Sequence, residues 1–346
     1  MFTKRYANEK KTEQIRIQIL KEVNYHSLDL VNHISSMFNI SRQSVYRHIN
    51  NLIKEQKLSF DIIDGKRVYK YGKVRELSKL ITINKDASES DIYANYFIWV
   101  EQDLKENVKA IVEYGFTEIL NNVIDHSESK TCFVYVKRDL SNITIIINDE
   151  GEGIFNRITR LKKLSDTRQA LLELKKGKLT TDAEHHSGEG IFFSSKAFDE
   201  FVIISGDLTF IHENKLKNDY LLDQKPGRGT YVKMKIDINS EKKLIDIFDE
   251  FAEADEYAFN KTIVPVILAK FGNENLMSRS QAKRLLTRLE NFKTVIFDFR
   301  DVNLIGQAFA DEIFRVYANK HKDIKLEYVN INSDIEKMIL RALNHK

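Results

Sequence analysis

The chain has 346 residues, a length typical of two or three domains, and its hydrophobic fraction of 42% suffices for a buried core. The single cysteine, Cys132, excludes an internal disulfide framework and a cysteine-rich metal site. The first residues are polar, without the apolar segment of a signal peptide, and no run of about 18 apolar residues predicts a membrane span. We therefore expect a cytoplasmic protein with no membrane partner.

The net charge of +3 is unevenly distributed along the chain. Residues 1–75 contain 15 Lys and Arg against 7 Asp and Glu, a net charge of +8, so the remainder carries a net charge of −5. A basic N-terminal segment on a mildly acidic body favours a polyanionic partner for that segment alone.

The N-terminal segment predicts three helices followed by a hairpin. Apolar residues recur at helical spacing in 10–23 and 27–38, and Ser41 stands in N-cap position before the helix SRQSVYRHINNLIKEQ. Asp64-Gly65 supplies the positive φ of a tight turn between LSFDII and KRVYKY. The third helix and the hairpin offer polar or basic side chains that can reach bases and phosphates: Arg42, Gln43, Ser44, Arg47, His48, Asn51, Lys66 and Arg67.

This pattern resembles a winged helix-turn-helix over roughly residues 8–72, and the resemblance implies that residues 1–75 bind duplex DNA. The alternative is a small three-helix scaffold or a dimerisation module that touches no nucleic acid, and the local charge of +8 favours DNA. Residues 76–104 are predicted to be a connector, with a strand in VRELSKLITI and a helix whose aromatic residues have core spacing.

A carboxylate and an amide share one face of the next predicted helix. Glu118 and Asn122 lie four residues apart, so they can position a water and provide an oxygen ligand for hydrated Mg²⁺. The strand NITIIIND is apolar almost throughout, which predicts that it is buried, and it ends at Asp149. Gly151 and Gly153 follow and allow the backbone to approach a ligand closely.

A long polar insert, residues 156–187, separates these glycines from a second pair. We predict helices near 157–164 and 166–175 within it, and a mobile lid as its role. The segment SGEGIFF then opens a helix at Gly188–Gly190, whose free N–H groups suit phosphate. The preceding His185, His186 and Ser187 either contact the terminal phosphate or are solvated.

Four motifs occur in the order and approximate spacing of the GHKL ATPase superfamily: Glu118-x-x-x-Asn122, Asp149-x-Gly151-x-Gly153, Gly188-x-Gly190 and Gly229-Thr230. This group includes gyrase-type enzymes, Hsp90 chaperones, mismatch-repair ATPases, histidine kinases and anti-sigma-factor kinases. The resemblance covers about residues 105–238 and implies a Bergerat-type α/β sandwich that binds ATP and Mg²⁺.

The resemblance also implies roles for individual residues. Asp149 would accept a hydrogen bond from the adenine amino group, Asn122 would ligate Mg²⁺, and Glu118 would be the catalytic base. The other implied ligand contacts are those of the glycine-rich segments and the threonine that closes over the base: Gly151, Gly153, Ser187, Gly188, Gly190 and Thr230. His126 either belongs to the anti-sigma type of this pattern or caps its helix.

Residues 255–346 predict a small α/β layer in which strands and helices alternate. The layer resembles a STAS-like domain of the anti-sigma-antagonist type. Antagonists of that type carry a phosphorylatable Ser at the head of the helix that follows the DF-type strand. This chain has the hydroxyl-free sequence LIGQA, residues 304–308, at that place. We therefore expect a surface that docks a protein partner rather than a self-phosphorylation switch.

Together these patterns predict an α+β multidomain protein. Its domains are a winged helix-turn-helix, a connector, a Bergerat-type ATPase and a STAS-like domain: residues 1–75, 76–104, 105–238 and 255–346. We expect a DNA-associated regulator that binds ATP–Mg²⁺, with slow hydrolysis at most. Nucleotide binding would switch the winged-helix head, residues 1–75, and the STAS-like tail, residues 255–346. The alternatives are an anti-sigma-type serine protein kinase that acts on a partner and, third, a mechanical ATPase on DNA. The sequence leaves homodimerisation open.

Overall fold

The computed structural model describes residues 2–84, 88–179, 189–216, 218–252, 259–270 and 275–344. This part of the chain contains three β-sheets, of two, three and seven strands. None of its helices combines the length and the apolar character that crossing a membrane requires.

The first unit consists of three helices and a hairpin, as the sequence predicts. The elements are α1 (Phe2–Glu22), α2 (Leu30–Phe38), α3 (Arg42–Lys54), β1 (Leu58–Ile63) and β2 (Lys66–Tyr71). The two strands pair in antiparallel register around the Asp64-Gly65 turn, where both residues have positive φ. The predicted second helix starts three residues late, at Leu30 instead of residue 27.

This head has a hydrophobic core of its own, separate from the core of the rest of the chain. Its buried side chains come from all three helices and from both strands: Ile15, Ile19, Val23, Leu30, Val31, Ile34, Val45, Ile49, Leu52, Leu58 and Tyr69. The Ser41 side chain accepts a hydrogen bond from the Ser44 amide at 3.2 Å, so it caps α3 as predicted.

An antiparallel seven-stranded sheet forms the middle of the molecule. Its strands are β3 (Arg75–Thr82), β4 (Thr131–Arg138), β5 (Asn142–Asp149), β6 (Glu200–Ser205), β7 (Leu208–Glu213), β8 (Asn218–Asp223) and β9 (Thr230–Asp237). The strand order is β3-β4-β5-β9-β6-β7-β8. Along β5, Ile143, Ile145 and Ile147 are buried and alternate with half-buried residues, so only one face of this strand is fully covered.

Helices accompany this sheet: α4 (Glu89–Glu101), α5 (Glu106–His126), α6 (Ile154–Lys162), α7 (Thr167–Lys176), α8 (Gly190–Ala197) and α9 (Leu244–Glu250). The predicted connector, 76–104, supplies β3, which pairs along β4, and α4, which packs on α5. Tyr93 and Phe97 stack with centroids 4.4 Å apart, and Phe97 contacts Phe116 of α5. This segment is therefore part of the sheet unit.

The C-terminal layer contains a parallel sheet in the order β10 (Lys261–Pro265), β11 (Thr294–Asp298) and β12 (Lys325–Val329). Its helices are α10 (Arg279–Leu286), α11 (Gln307–Asp311), α12 (Ala318–Lys320) and α13 (Ser333–Asn344), and a π-helical stretch, Glu312–Tyr317, joins α11 to α12. The sequence predicted β11, the helix after it, β12 and α13. It did not predict β10 and α10.

Helix α7 connects the large sheet to the C-terminal layer. Every residue from Ala170 to Lys176 is buried. Toward the sheet, the Lys175 ammonium lies 2.9 Å from the Asp219 carboxylate, which also contacts His212 Nδ1 at 2.5 Å. Burial lowers the pKa of His212 to about 4. The imidazole is therefore neutral near pH 7, and its Nδ1–H donates to Asp219.

Toward the C-terminal layer, α7 presents a buried ion pair. The Lys176 ammonium donates to Glu173 at 2.6 Å and to the Thr287 carbonyl at 2.7 Å, and both ionic side chains are 1% exposed. Arg288 donates to the second oxygen of Glu173 at 3.1 Å. Burial lowers the pKa of Lys176 to about 8, against the opposing effect of Glu173.

These contacts correct the prediction of a mobile lid over residues 156–187 for the part that contains α7, whereas residues 180–187 lie outside the described residues. Its described part, 156–179, forms most of α6 and the whole of α7, and α7 is buried from Ala170 to Lys176. The charges of this helix misled the prediction, because Asp219 and Arg288, which pair with Lys175 and Glu173, lie more than 40 residues away in the sequence.

The Glu173→Gln substitution tests this junction. It removes the carboxylate charge and leaves Lys176 buried without its counter-ion, so we expect the free energy of unfolding to fall by about 3–5 kcal/mol. Urea denaturation of the full chain measures this change. As a control, Asp334→Asn breaks an exposed pair with Lys337, and it should cost less than about 1 kcal/mol. Equal losses in the two variants would contradict the assignment.

Candidate functional site

A cavity of about 350 Å³ lies between α5, the ends of β5 and β9, and helices α6, α7 and α8. Its apolar wall is formed by aliphatic side chains and one phenylalanine from all of these elements and from the segment after α7: Ile119, Val123, Ile147, Ile154, Ile158, Leu174, Leu179, Ile191, Phe192 and Val232. A cavity of this size, lined by both apolar and polar side chains, suits a small organic ligand.

Six predicted ligand residues line this cavity: Glu118, Asn122, Asp149, Gly153, Gly190 and Thr230. They come from four separate stretches of the chain, and the sheet and α5 bring them together. Gly151 lies beside the cavity and does not line it. Ser187 and Gly188, with His185 and His186, lie outside the described residues.

Asp149 is the buried acid of the cavity, with a relative exposure of 3%. Its carboxylate accepts a hydrogen bond from the Gly151 amide at 2.8 Å and another from the backbone amide of Thr230. Burial raises the pKa of Asp149, and these two hydrogen bonds oppose the rise. A carboxylate has about four acceptor positions, so Asp149 can still accept an N–H from a ligand.

The turns around Asp149 require glycine. A Cβ on Gly229, which has a φ of +73°, would lie 1.9 Å from the Asp149 carbonyl oxygen. A Cβ on Gly151 would lie 1.9 Å from the Ser127 carbonyl oxygen. The Thr230 hydroxyl accepts from the Ile154 amide at 3.0 Å, and this bond connects the start of β9 to the start of α6. Gly151 thus shapes the site by its backbone.

Glu118 and Asn122 lie one turn apart on the wall formed by α5. Asn122 Nδ2 donates to the Glu118 carbonyl at 2.7 Å, which leaves Oδ1 as the acceptor for a ligand. The Glu118 carboxylate lies against the first residue of α8, where a Cβ on Gly190 would come within 1.9 Å of Oε2. An amide oxygen beside a carboxylate fits Mg²⁺, which binds few protein ligands and retains water or phosphate oxygens.

Several residues of the cavity were not singled out from the sequence, among them Arg157, Leu174 and Leu179. Arg157 is one turn after Gly153, and its amide donates to the Gly153 carbonyl at 3.0 Å. Its guanidinium donates to Glu128 at 2.9 Å, and its buried Nε has no hydrogen-bond partner. Among the described lining residues it is the only Lys or Arg. Helical spacing from Gly153 would have indicated it.

The residues predicted to contact DNA lie on α3 and β2 of the head. Four of the six on α3 are exposed, Ser44 and His48 are half-buried, and both basic residues of β2 are exposed. The Arg67 guanidinium lies over the Phe60 ring, 4.5 Å from its centroid. Burial lowers the pKa of His48, and Arg47 and Arg16 add to the effect, so His48 is a neutral donor or acceptor near pH 7.

Gly227 and Gly229, in the loop before β9, provide a test of the turn beside Asp149. In Gly229→Ala, the left-handed backbone alone costs about 1–2 kcal/mol, and the Cβ also overlaps the Asp149 carbonyl. We expect the free energy of unfolding to fall by more than that amount. Gly227→Ala, whose nearest neighbour atom is 4.0 Å away, should change it by at most about 0.5 kcal/mol. Thermal melts of both variants measure the difference, and similar melting temperatures would refute this account of Gly229.

Comparison with known proteins identifies one part of the chain. Residues 281–336 match the family model of a STAS-like domain of unknown function (DUF4325). The match begins in α10, includes β11 and β12, and ends in the first turn of α13. A search of the curated proteins found no match to this chain. The protein is therefore a mixed α/β multidomain chain with a STAS-like domain at its C-terminal end.

Proposed function

We propose that the cavity binds ATP with Mg²⁺, and that nucleotide binding regulates a DNA-binding head and a docking tail. The observation that carries the proposal is the convergence of four separated motifs on one cavity. The order of these motifs resembles that of the GHKL ATPases, and a Bergerat-type sandwich is the fold that this resemblance implies for residues 105–238.

In this proposal the adenine lies between the aliphatic walls and reaches Asp149. Its exocyclic amino group donates to the free acceptor positions of that carboxylate, and the Thr230 side chain closes beside the base. The 3% exposure of Asp149 supports this role, because a hydrogen bond to a charged group gains strength when water is excluded. Gly151 and Gly153 allow the tight turns beside the base, because a Cβ on either would meet neighbouring protein atoms.

The phosphates in turn point toward the start of α8. Gly190 opens this helix, and the proposal adds Ser187 and Gly188 from the segment before it as further phosphate contacts. Asn122 Oδ1 would hold Mg²⁺, which neutralises phosphate charge when bound. Glu118 would orient and deprotonate a water, so hydrolysis depends on its carboxylate.

Helix α7 provides a route from the cavity to the STAS-like tail. Leu174 lines the cavity, whereas its neighbours Glu173 and Lys176 contact Arg288 and Thr287 of the tail. A ligand that contacts Leu174 in only one position of α7 favours that position, and the tail follows. We propose that the tail presents its docking surface to a protein partner in this ligand-dependent way.

The head is connected to the sheet unit through Arg75, the first residue of β3. This side chain is 5% exposed and donates to the carbonyls of Gly72, after the hairpin, and of Gln102, after α4. Lys57, before β1, forms an ion pair with Glu76 at 3.1 Å. A shift of α4 and α5 on ligand binding would therefore reach the head, where we propose that α3 and β2 contact duplex DNA.

Calorimetric titration of the full chain with ATP–Mg²⁺ tests the nucleotide site. We expect Asp149→Asn to weaken binding by about 10- to 100-fold, because it loses a charged hydrogen bond. The control Asp301→Asn changes an exposed residue of the STAS-like tail and should bind like the unmodified chain. Glu118→Ala should keep binding and lose hydrolysis. Equal affinity in Asp149→Asn and in the control would rule out the adenine role.

Gel shifts with duplex DNA, with and without ATP–Mg²⁺, test the coupling. We expect Arg47→Ala to weaken DNA binding, because the exposed Arg47 loses its contact with a phosphate. The slope of log K against log salt concentration should become shallower by about one. Arg341→Ala, at an exposed residue of α13, is the matched control. Identical shifts with and without nucleotide would reject the coupling. Transfer of labelled γ-phosphate to a protein would favour the serine kinase instead.

A further inference from the structure

A second cluster of ligand-type side chains lies in the head, away from the cavity. Glu22 ends α1, His26 lies in the turn that follows, and His33 lies on α2. One oxygen or nitrogen atom from each of these side chains lies within 4.8 Å of the others. The spacing, Glu-x₃-His-x₆-His, places all three within 12 residues at a single helical corner.

The two imidazoles face the same carboxylate. Their rings stack with centroids 3.6 Å apart and planes inclined by 12°. His33 Nε2 lies 3.5 Å from Glu22 Oε2, and His26 Nε2 lies 3.9 Å from the same oxygen. His33 Nε2 is buried and makes no hydrogen bond. A buried nitrogen without a hydrogen-bond partner, 3.5 Å from a carboxylate and beside a second imidazole, is a position that a metal ion would satisfy.

Neighbouring groups orient two of these side chains. His26 Nδ1 lies 3.1 Å from the Asp29 carboxylate, which can only accept, so Nδ1 carries the hydrogen and Nε2 keeps its lone pair. Gln18 Nε2 donates to Glu22 Oε1 at 2.7 Å, which leaves Oε2 directed at the histidines. At zinc sites, a ligating histidine commonly donates its other ring N–H to a carboxylate, as His26 does here.

We propose that Glu22, His26 and His33 form a Zn²⁺ site whose fourth position is taken by water. Two imidazole nitrogens and one carboxylate oxygen suit this borderline ion, whereas Mg²⁺ prefers oxygen ligands alone. Ligand atoms around a tetrahedral Zn²⁺ stand about 3.3 Å apart, so the three groups need only small movements. The stacked rings would tilt from their near-parallel arrangement until both lone pairs point at the ion.

The site would stabilise the turn between α1 and α2, which contacts the hairpin. Between His26 and α2, the Ser27 carbonyl accepts from the Tyr69 amide of β2 at 2.8 Å. An ion bound to both histidines would join α1, this turn and α2, and would thereby hold the turn against β2. Lys66 and Arg67 belong to the same strand, so the metal also positions the basic edge of the head.

Zinc titration of the untagged full chain against a chromophoric chelator tests the proposal. All variants carry His185→Gln and His186→Gln, so that those imidazoles contribute nothing. We expect one equivalent of Zn²⁺ to bind in this background and to be lost in His33→Gln and in His26→Gln. The matched control His321→Gln, which lies in the STAS-like tail, should keep it. Asp29→Asn should weaken binding by about 10- to 100-fold.

Two further measurements keep the result clear if a variant folds poorly. Zn²⁺ should raise the melting temperature of the chain that retains His26 and His33, and Mg²⁺ at the same concentration should not. Co²⁺ in the same protein should show the visible absorption of a tetrahedral site. Unchanged zinc stoichiometry in His26→Gln and His33→Gln would overturn the proposal, and so would the absence of both effects in the chain with these histidines intact.

Discussion

The buried charges of α7 are the constraint on which the arrangement of this molecule depends. An ion that leaves water must find a counter-ion and hydrogen-bond partners, since isolated burial is strongly unfavourable. Glu173 and Lys176 find theirs in each other and in the segment after α10, and Lys175 finds Asp219 on β8. These pairs hold the helix between the large sheet and the STAS-like layer, and Leu174 reaches the cavity from there.

The same position places Leu174 in the lining of the cavity. Every element around the cavity contributes aliphatic or aromatic side chains, and α5 and the end of β5 add two carboxylates and an amide. The buried Asp149 depends on the tight turns at Gly151 and Gly229, because any Cβ there would meet a backbone carbonyl.

Much of the local structure was predictable. The cap at Ser41, the turn at Asp64-Gly65, and the shared face of Glu118 and Asn122 rest on interactions between residues close in the chain, and each is present as expected. The errors concern distant contacts. Residues 76–104 read as a connector because nothing nearby shows that β3 would pair with β4, and β10 is recognisable only beside β11, which joins it from about 30 residues away.

By itself, the amino-acid sequence determined most of the elements, their caps and turns, and the order of the predicted ligand motifs, because these depend on neighbours within a few residues. Only the tertiary structure decided which charges are buried and with whom. It turned a polar segment into the enclosed helix α7, brought Thr230 to Asp149, and set His33 against His26 and Glu22. These outcomes require burial and long-range pairing, which a linear pattern of residue types does not contain.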